Sequence, residues 1–368
     1  MSVTIPLEPV TAERAVAPTV AYPFSQWYAA AFSDQVTRTP MSRTLLDQRI
    51  VLYRTEAGEP AALVDRCPHR RAPLSQGALV GDQIECPFHG MLFGPDGNCN
   101  RIPCQEVIPP AAHIRSYPAI DRHGHIWLWF GAPGQADPAM IPDLHWLTDP
   151  SLTPVKGMML IKANYLTVLD NLLDDTHLPF VHRNSIGTPK MVTAPIDVQS
   201  GNDWVGFSRW TLDTPPSPVH ARAGGFTTNV DRWFNVRYVK PTTVTIDVGS
   251  APIGTGAPEG DRSKGIGLYS NGTLTPGAGN TTWYFWHNAR TFSLDDEELS
   301  RALHADMVNT FLEDSVIVEA VQEVVDGDTD PAPQLNIAGD VVSLRARRIV
   351  TQLIATEAAT GNRPVPRT

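Results

Sequence analysis

The sequence of 368 residues predicts an α+β protein built from two domains. Three observations support this prediction: short β-like runs broken by turns fill residues 43–130, a Pro-rich stretch follows over 131–154, and the remainder mixes strand-like and helical patterns. We therefore divide the chain into an N-terminal arm (1–20), a β domain (21–140), a linker (141–154) and a second domain (155–368).

Composition and charge argue against two classes of partner. The formal net charge is −10 and Lys and Arg form no basic block, so we expect no nucleic-acid binding. No apolar run reaches the roughly 18 residues of a membrane-spanning helix. The N-terminus carries Glu8 and Glu13 and no apolar segment, which does not predict a secretory signal, and we expect a cytoplasmic protein.

The β domain contains recognisable strands and one clear turn. Apolar runs over 50–53, 61–64 and 126–130 predict strands. Residues 94–98, Gly-Pro-Asp-Gly-Asn, predict a hairpin turn, because Gly and Pro at these positions favour tight turns.

Two short runs in this domain each combine one Cys with one His. Cys67 and His69 form the first run, Cys86 and His89 form the second, and sixteen residues (70–85) separate them. A Cys and a His on each of two loops is the ligand set of a 2Fe–2S centre in which two Cys hold one iron and two His hold the other. The pattern therefore predicts a protein that transfers single electrons.

Structural zinc is the alternative for the same four ligands. Zinc modules usually begin with two Cys separated by two to four residues, whereas Cys67 is followed by His69 after one residue. This spacing favours the iron–sulfur cluster. The other two cysteines, Cys99 and Cys104, are expected to be buried free thiols.

The second domain is predicted to place strands between helices. Residues 163–176 show a helical pattern, and strand-like runs follow over 203–290, including 244–248 and 282–286. Two further helices are expected over 295–325 and 341–358. Aromatic residues of the last strand (Trp283, Phe285, Trp286) could line a pocket or pack the core. Three nearby polar residues are candidate pocket contacts with structural roles as the alternative: His287, Asn288 and His304.

A second candidate metal site begins in the first of these helices. His177 and His182 lie five residues apart, which on an unbroken helix separates them by about 140°. Pro179 disrupts the helix between them, so we expect His177 at a helix end and His182 on the turn beyond it. Asp174 lies three residues before His177 and would share its helical face. A structural role for either histidine is the alternative.

Asp314 is the best candidate for a third, anionic ligand. It falls within an apolar stripe of the helix over 295–325, formed by Met307, Phe311, Val318 and Val321. A carboxylate on a core face needs a charged or hydrogen-bonding partner, and a metal ion supplies one. Glu313 points about 100° away. The alternative is that Asp314 is a structural residue, paired with an Arg or with the backbone. If it is a ligand, two His and one carboxylate suit non-haem Fe(II) and oxygen chemistry.

Nucleotide-binding motifs are not found in the sequence. It shows no G-x-G-x-x-G between a strand and a helix and no P-loop. Electrons for the cluster should therefore come from another protein, a ferredoxin or flavin reductase, and NAD(P)H should act only indirectly through that partner.

Together these residues resemble the Rieske non-haem iron oxygenases. The matching motifs are Cys67-x-His69-x16-Cys86-x2-His89, Asn171-x2-Asp174-x2-His177-x4-His182, and the distal Asp314. The resemblance implies a Rieske β domain followed by a helix-grip catalytic domain, often in a head-to-tail homotrimer. It also implies that Asp174 links its own His177 to His89 of the partner subunit, and that Asn171 lies near the iron.

The resemblance extends to a subgroup. Respiratory Rieske proteins carry two further Cys where this chain has Ala72 and Phe88, so the cluster loops are similar to those of oxygenases. Within the family the chain looks most like the vanillate and dicamba O-demethylases. That implies O₂-dependent monooxygenation of an aromatic substrate with loss of an O- or N-alkyl group. The alternatives are ring hydroxylation or cis-dihydroxylation by the same metals, and a Rieske electron carrier without enzyme activity.

Overall fold

The computed structural model describes residues 21–329 and 334–360. The predicted N-terminal arm over 1–20 lies outside the described residues. Within them the α+β prediction is confirmed, since small antiparallel sheets form the first half of the chain and one large antiparallel sheet with helices forms the second half.

Ten strands make up the described N-terminal part of the chain. In chain order they are β1 (Trp27–Phe32), β2 (Met41–Leu45), β3 (Gln48–Arg54), β4 (Pro60–Val64), β5 (Ala78–Val80), β6 (Gln83–Glu85), β7 (Leu92–Phe93), β8 (Cys99–Arg101), β9 (Ala119–Arg122) and β10 (His125–Trp129). They form three sheets with the orders β1-β10-β9, β2-β3-β4 and β5-β6-β7-β8. The strands predicted over 50–53, 61–64 and 126–130 coincide with β3, β4 and β10 to within two residues.

The predicted turn over 94–98 joins β7 to β8 and is confirmed. Its Gly97 has φ +86°, a left-handed conformation that favours glycine. A Cβ atom at this position would lie 2.1 Å from the carbonyl oxygen of Ile114. Only glycine therefore allows the turn to pack against the neighbouring segment, which closes the sheet that carries the second Cys–His loop.

The N-terminal sheet β1-β10-β9 packs directly against the second domain. Phe32 of β1 contacts Phe285 edge to face, with ring centroids 5.6 Å apart. The Thr275 hydroxyl donates a 2.7 Å hydrogen bond to the Ala29 carbonyl. Strand β10 is buried along its whole length, so the two parts of the chain share a packed interface rather than a solvent gap.

Seven strands form the large antiparallel sheet of the second domain. They are β11 (Thr153–Ile161), β12 (Ile196–Ser200), β13 (Trp204–Thr214), β14 (Val230–Val239), β15 (Thr243–Pro252), β16 (Ile266–Pro276) and β17 (Thr282–Arg290). Strands β12 to β17 follow one another as a meander, and β11 pairs with β17 at the far edge. Because β11 begins at Thr153, the sheet starts inside the linker predicted over 141–154.

Among the described residues, five α-helices accompany this sheet. They are α1 (Tyr165–Leu173), α2 (Leu178–Val181), α3 (Pro218–Gly224), α4 (Glu297–Gly327) and α5 (Val341–Thr360). The Asn164 side chain accepts a 2.9 Å hydrogen bond from the Leu166 amide at the start of α1. Asp296 accepts one from the Leu299 amide at the start of α4. No helix in the described part of the chain is long and apolar enough to cross a membrane.

Helix α4 positions a carboxylate in the interior. Its buried face consists of Leu303, Met307, Thr310, Asp314, Val318 and Gln322. The prediction that Asp314 lies on the core face is confirmed. The prediction for Val321 is wrong, because its side chain is 43% exposed while Gln322, four residues after Val318, takes the buried position.

Candidate metal centres and substrate pocket

The two Cys–His loops have the same backbone geometry. The Arg71 amide donates to the Cys67 carbonyl, and the Gly90 amide donates to the Cys86 carbonyl, both at 3.0 Å. Each loop thus closes over four residues, and Arg71 and Gly90 both adopt positive φ. Each Cys amide in turn donates to the carbonyl five residues later. Two equivalent loops thus present two equivalent pairs of candidate ligands.

The side chains of these loops divide by type. Cys67 and Cys86 are buried, whereas His69 and His89 are exposed, with ring centroids 4.6 Å apart. Burial raises the pKa of the Cys67 thiol to about 11, although the backbone amides of His69 and Arg70 counteract this rise by pointing at the sulfur. Amides directed at a thiolate are the usual environment of a cluster sulfur.

The four candidate cluster ligands do not form a compact group like that of the second site. Within the described ranges, the only three His, Cys, Asp or Glu side chains whose ligand atoms all lie within 4.8 Å of one another are His177, His182 and Asp314. A tetrahedral zinc site would bring Cys67, His69, Cys86 and His89 within such a distance. An inner pair of sulfurs and an outer pair of imidazoles instead fits a two-iron cluster. All four cysteines are free; Cys99 is buried as predicted, but Cys104 is exposed.

The second constellation forms where α1, α2 and α4 meet. Its local structure corrects the predicted helix. Helix α1 ends at Leu173, and Asp174 is already extended, so Asp174 and His177 do not share a helical face. His177 precedes α2 and His182 follows it, while Pro179 lies in the first turn of α2, where a missing amide costs little. Pro179 therefore helps to start a short helix that turns the two imidazoles toward each other.

One carboxylate oxygen is the meeting point of the site. Asp314 Oδ1 lies 2.9 Å from His182 Nε2 and 3.4 Å from His177 Nε2. The Asn171 amide donates a 3.0 Å hydrogen bond to the same oxygen. Both ring nitrogens of His177 are buried, and each lies near a carboxylate (Nδ1 3.5 Å from Asp174 Oδ2, Nε2 3.4 Å from Asp314 Oδ1) without meeting hydrogen-bond geometry. Buried imidazole nitrogens of this kind indicate a missing partner, and two imidazoles with one carboxylate fit non-haem iron.

The charges of this cluster depend on one another. Burial raises the pKa of Asp314, but His177 and His182 more than offset this effect and hold it at about 2. Burial lowers the pKa of His177, but Asp174 and Asp314 outweigh burial and raise it to about 9. The carboxylates therefore give the site a strong preference for a cation.

The two carboxylate oxygens of Asp174 have different contacts. Its Oδ1 accepts hydrogen bonds from the Thr176 amide at 2.8 Å and the Thr176 hydroxyl at 2.7 Å. Its Oδ2 lies 3.5 Å from His177 Nδ1, and 24% of the side chain is exposed. The residue thus joins the interior of the site to the protein surface.

Glu313 lies behind the site and was predicted only to point away from it. His182 Nδ1 is 2.8 Å from Glu313 Oε2, and the Ser185 hydroxyl donates to the same oxygen at 2.7 Å. Sequence reasoning did not predict the contacts of Glu313 with His182 and Ser185. The helical direction of Glu313 does not show that its carboxylate reaches Nδ1 of His182, and the sequence around Ser185 does not show that its hydroxyl reaches the same carboxylate.

A pocket with a cavity volume of about 90 Å³ lies between the sheet and helices α1 and α4. Its apolar wall consists of Leu172, Leu178, Ile186, Val219, Phe234, Val244, Ile246, Val248, Leu268, Tyr284, Met307 and Phe311. Its polar lining includes the proposed ligands His177, His182 and Asp314, together with Asn171, Asp174, His220, Arg232, Ser270 and Asn288. The cluster of candidate ligands therefore opens into a mainly apolar cavity.

The pocket prediction from β17 is only partly right. Asn288 lines the cavity, but Trp283, Phe285, Trp286, His287 and His304 do not. Side chains alternate between the two faces of a strand, which explains why Phe285 and His287 do not line the pocket. They face the N-terminal sheet, near Phe32 and His125. Trp286 packs behind Phe311 with ring centroids 5.1 Å apart.

Comparison with known proteins covers both parts of the chain. Residues 26–118 match the Rieske 2Fe–2S domain family, and residues 161–356 match the vanillate O-demethylase oxygenase C-terminal domain family. A putative toluene-4-sulfonate monooxygenase system iron–sulfur subunit from Comamonas testosteroni is 36% identical over 335 residues, which cover 90% of this chain and 96% of the relative.

Two further comparisons concern dicamba. The oxygenase component of dicamba O-demethylase from Stenotrophomonas maltophilia is 33% identical over 340 residues, covering 90% of this chain and 98% of the relative. The crystal structure of dicamba monooxygenase bound to 3,6-dichlorosalicylic acid has a TM-score of 0.87 and 31% identity, covering 92% of this chain and 99% of that one. The fold and the sequence lead to the same group of proteins.

Proposed function

Since this chain belongs to the Rieske non-haem iron oxygenases with a catalytic domain of the vanillate O-demethylase type, we propose that it removes an O- or N-alkyl group from an aromatic substrate. The family resemblance noted in the sequence is thereby confirmed, and so is the classification as an enzyme. The protein is an oxygenase component with a 2Fe–2S cluster and a mononuclear non-haem iron. This excludes the reading of a simple electron carrier.

We assign the ligands from the geometry of the two sites. Cys67 and Cys86 would hold the inner iron of the cluster, and His69 and His89 the outer iron. The mononuclear ion would be held by the convergent set His177, His182 and Asp314. When bound, the cluster supplies single electrons and the mononuclear ion supplies the site at which dioxygen is activated. Asn171 would orient Asp314 through its 3.0 Å hydrogen bond.

Asp174 is proposed to connect the two centres between subunits. Its Oδ2 faces His177 Nδ1, and part of its side chain reaches the surface. His89 is also exposed, at the tip of the cluster domain beside Phe88, whose side chain is 62% exposed. A homotrimer would allow Asp174 to accept a hydrogen bond from His89 of the partner subunit. Light scattering of the holoenzyme should give three times the 40.2 kDa chain mass; a monomer at micromolar concentration would contradict this assembly.

The cavity supports oxidation of a carbon–hydrogen bond on a small arene. Its apolar wall excludes water around the substrate, while the three ligands occupy one side of it. In dealkylation one oxygen atom of O₂ enters a C–H bond of the alkyl group and the other becomes water, with two electrons and two protons supplied. The hemiacetal or hemiaminal product then breaks its C–O or C–N bond to give an aldehyde and a phenol or amine.

The observation that carries this proposal is the opening of the ligand set His177, His182 and Asp314 into the pocket. We would incubate holoenzyme, a ferredoxin–reductase pair and NADH with methoxy- and N-alkyl-arenes and measure aldehyde and dealkylated product. Formation of the two in equal amounts supports the proposal. Cis-diols or ring phenols that retain the alkyl group would instead establish the alternative, ring oxidation.

We also propose an electron donor for the cluster and a cellular location for the protein. A ferredoxin or flavin reductase would bring electrons from NAD(P)H, because the sequence contains no nucleotide-binding motif of its own. Cys99 and Cys104, the two cysteines outside the cluster, are free thiols, which agrees with a reducing cytoplasm. Cell fractionation tests the location, and reduction of the cluster by candidate donors, followed by its visible absorption, tests the partner.

A further inference from the structure

Asp65 stands apart from the other carboxylates of the cluster domain by its burial. Residues 21–140 are all described, and within them Asp65 is the only buried Asp or Glu. Its side chain has no exposed surface, whereas that of its ion-pair partner Arg49, 3.2 Å away, is 59% exposed. Burying a carboxylate is unfavourable unless hydrogen bonds or an opposite charge compensate it. The position and partners of Asp65 therefore need an explanation.

Both oxygens of Asp65 accept hydrogen bonds. Oδ1 accepts one from the Ser75 amide at 2.7 Å. Oδ2 accepts bonds from the hydroxyls of Ser42 and Ser75, both at 2.8 Å, and from Arg49 Nη2 at 3.2 Å. An amide and a guanidinium group can only donate, and hydrogen bonds of this kind favour the ionised carboxylate. Asp65 is thus a fixed negative charge inside the domain.

The hydrogen bonds of Asp65 close the base of the first Cys–His loop. Asp65 precedes Cys67 by two residues, and Ser75 lies just after the loop that begins at Cys67. This loop lies between β4 and a 3₁₀ helix (Leu74–Gln76), and β4 pairs with β3 rather than with the segment after the loop. The two hydrogen bonds between Asp65 and Ser75 therefore join the two ends of the loop.

The second Cys–His loop is closed in a different way. It connects β6 to β7, and these strands pair with each other at the base of the loop, through Ile84 with Phe93 and Glu85 with Leu92. Backbone pairing thus does for the second loop what Asp65 does for the first. The difference is that a carboxylate also brings a negative charge to the base of its loop.

The charge of Asp65 lies close to the proposed position of the cluster. Asp65, Arg49 and Cys67 line the same cleft. A charge acts more strongly on its surroundings in the protein interior than in water. The opposite charge of Arg49 is mostly exposed, so solvent and salt weaken it. A negative charge near an iron–sulfur cluster makes the cluster harder to reduce, because it repels the added electron.

We propose that Asp65 is a positioning residue of the cluster: it closes the first ligand loop, and its buried charge lowers the reduction potential of the cluster. The inference rests on the proposed function, because it uses the assignment of Cys67 and His69 as cluster ligands. A lower potential makes the reduced cluster a stronger electron donor, which suits a cluster that supplies electrons for the activation of dioxygen.

The test is a redox titration of the holoenzyme at pH 7, without substrate or oxygen, followed by the visible absorption of the cluster. Asp65→Asn keeps the size of the side chain and an oxygen that can accept from the Ser75 amide, but it removes the charge. At the midpoint potential of the wild type, we expect the ratio of reduced to oxidised cluster to be about tenfold higher in this variant, a shift of about 59 mV. An unchanged or lower potential would overturn the proposal.

Arg49→Gln should shift the potential in the opposite direction. It removes the positive charge that opposes Asp65 and leaves the carboxylate in place. We expect the ratio of reduced to oxidised cluster to fall about twofold at low ionic strength, and the difference from the wild type to disappear at about 1 M salt, which screens an exposed charge. If both variants shifted the potential in the same direction, a loosened loop would be the cause and the role of the charge would be wrong.

Asp121→Asn is the matched control. Asp121 also accepts hydrogen bonds from a serine, Ser33, and an arginine, Arg54, but it is exposed and lies on the sheet β1-β10-β9, which carries neither Cys–His loop. This variant should keep the wild-type potential. A shift as large as that of Asp65→Asn would mean that any charge lost from this domain has the same effect, which would contradict the assignment to Asp65.

Failure of this proposal can be distinguished from failure of the proposed function. A wild-type protein without the absorption of a 2Fe–2S cluster would contradict the ligand assignment and the role of Asp65 with it. A wild-type cluster whose potential does not respond to Asp65→Asn would contradict the role of Asp65 alone. If Asp65→Asn is isolated without a cluster, Arg49→Gln decides, since an unshifted potential at low ionic strength would then overturn the proposal.

Discussion

Glu313 Oε2 lies 2.8 Å from His182 Nδ1, on the side of the imidazole opposite to Asp314. Because Nε2 faces Asp314 and the proposed metal site, Nδ1 carries the hydrogen and donates it to Glu313. The Ser185 hydroxyl donates to the same carboxylate oxygen and holds it in place. A carboxylate behind a metal-binding imidazole fixes both its tautomer and its ring orientation.

Glu313→Gln should weaken binding of mononuclear iron. The amide can keep a hydrogen bond but loses the charge that makes His182 a stronger ligand, so we expect a 10- to 100-fold loss of affinity. Iron retained after dialysis against a graded series of chelator concentrations measures this change. The visible spectrum of the cluster should not change.

Glu323→Gln is the matched control, because Glu323 lies on the same helix and is exposed. It should retain iron as the wild type does. If Glu313→Gln also retains iron like the wild type, Glu313 has no part in orienting His182.

Asp174→Asn should leave both metal centres in place and slow electron transfer between them. The amide preserves the hydrogen bonds that Oδ1 accepts from Thr176 but removes the charge beside His177. We expect turnover to fall about 100-fold with iron content unchanged. Stopped-flow reoxidation of the reduced cluster in the presence of substrate and O₂ would show whether the slow step is the transfer.

The exposed Asp197 on β12 provides the control for that variant, since Asp197→Asn removes the same charge away from both centres. Turnover of Asp174→Asn within a few-fold of the wild type would contradict a bridging role. Loss of iron with normal reoxidation kinetics of the remaining enzyme would indicate a structural role at His177 instead.

Local spacing was sufficient to predict the candidate metal ligands that the structure brings together, but not the groups that surround them. The helical period placed Asp314 on the buried face of α4, and the Cys–His runs needed no tertiary information. The helix predicted over 163–176 was too long, because α1 ends at Leu173. The β conformation of Asp174 and the start of α2 beside Pro179 depend on how α2 packs.

Arg232 shows why the pocket could not be predicted in the same way. Alternation along β14 separates its two faces but does not say which face is concave or which is covered by α4. That information lies in the pairing of six consecutive strands and in the loop after His182. Glu313 was likewise out of reach, since its partner is one nitrogen of a distant histidine.

Asp314→Ala should remove the mononuclear iron and leave the cluster intact. His177 and His182 alone offer two neutral ligands, and the carboxylate that attracts the cation is lost. Iron analysis should fall from about three to about two atoms per chain, as expected for a cluster plus one ion. The visible absorption should persist. Stoichiometric mononuclear iron in this variant would mean that another carboxylate, such as Glu313, is a ligand.

Acid should destabilise the protein through buried neutral histidines distant from the metals. Burial lowers the pKa of His125 to about 4 and that of His287 well below its usual value, with repulsion from Lys156 adding to both. Both folded-state pKa values lie below the unfolded value, so between these values the unfolded chain binds protons that the folded chain does not. Stability therefore falls as pH decreases from about 6.5. For His125 alone the loss at pH 5 is about 2 kcal/mol.

His287→Phe isolates part of this effect. Both ring nitrogens of His287 are buried without a hydrogen bond to any described residue, so the ring is replaced without losing such a bond. We expect the melting temperature to fall less between pH 7 and pH 5 in this variant than in the wild type, measured on holoenzyme at both pH values. The exposed His113 gives the control, His113→Phe, which should keep the wild-type pH dependence. An identical pH dependence in all three proteins would show that protonation of His287 does not limit stability in acid.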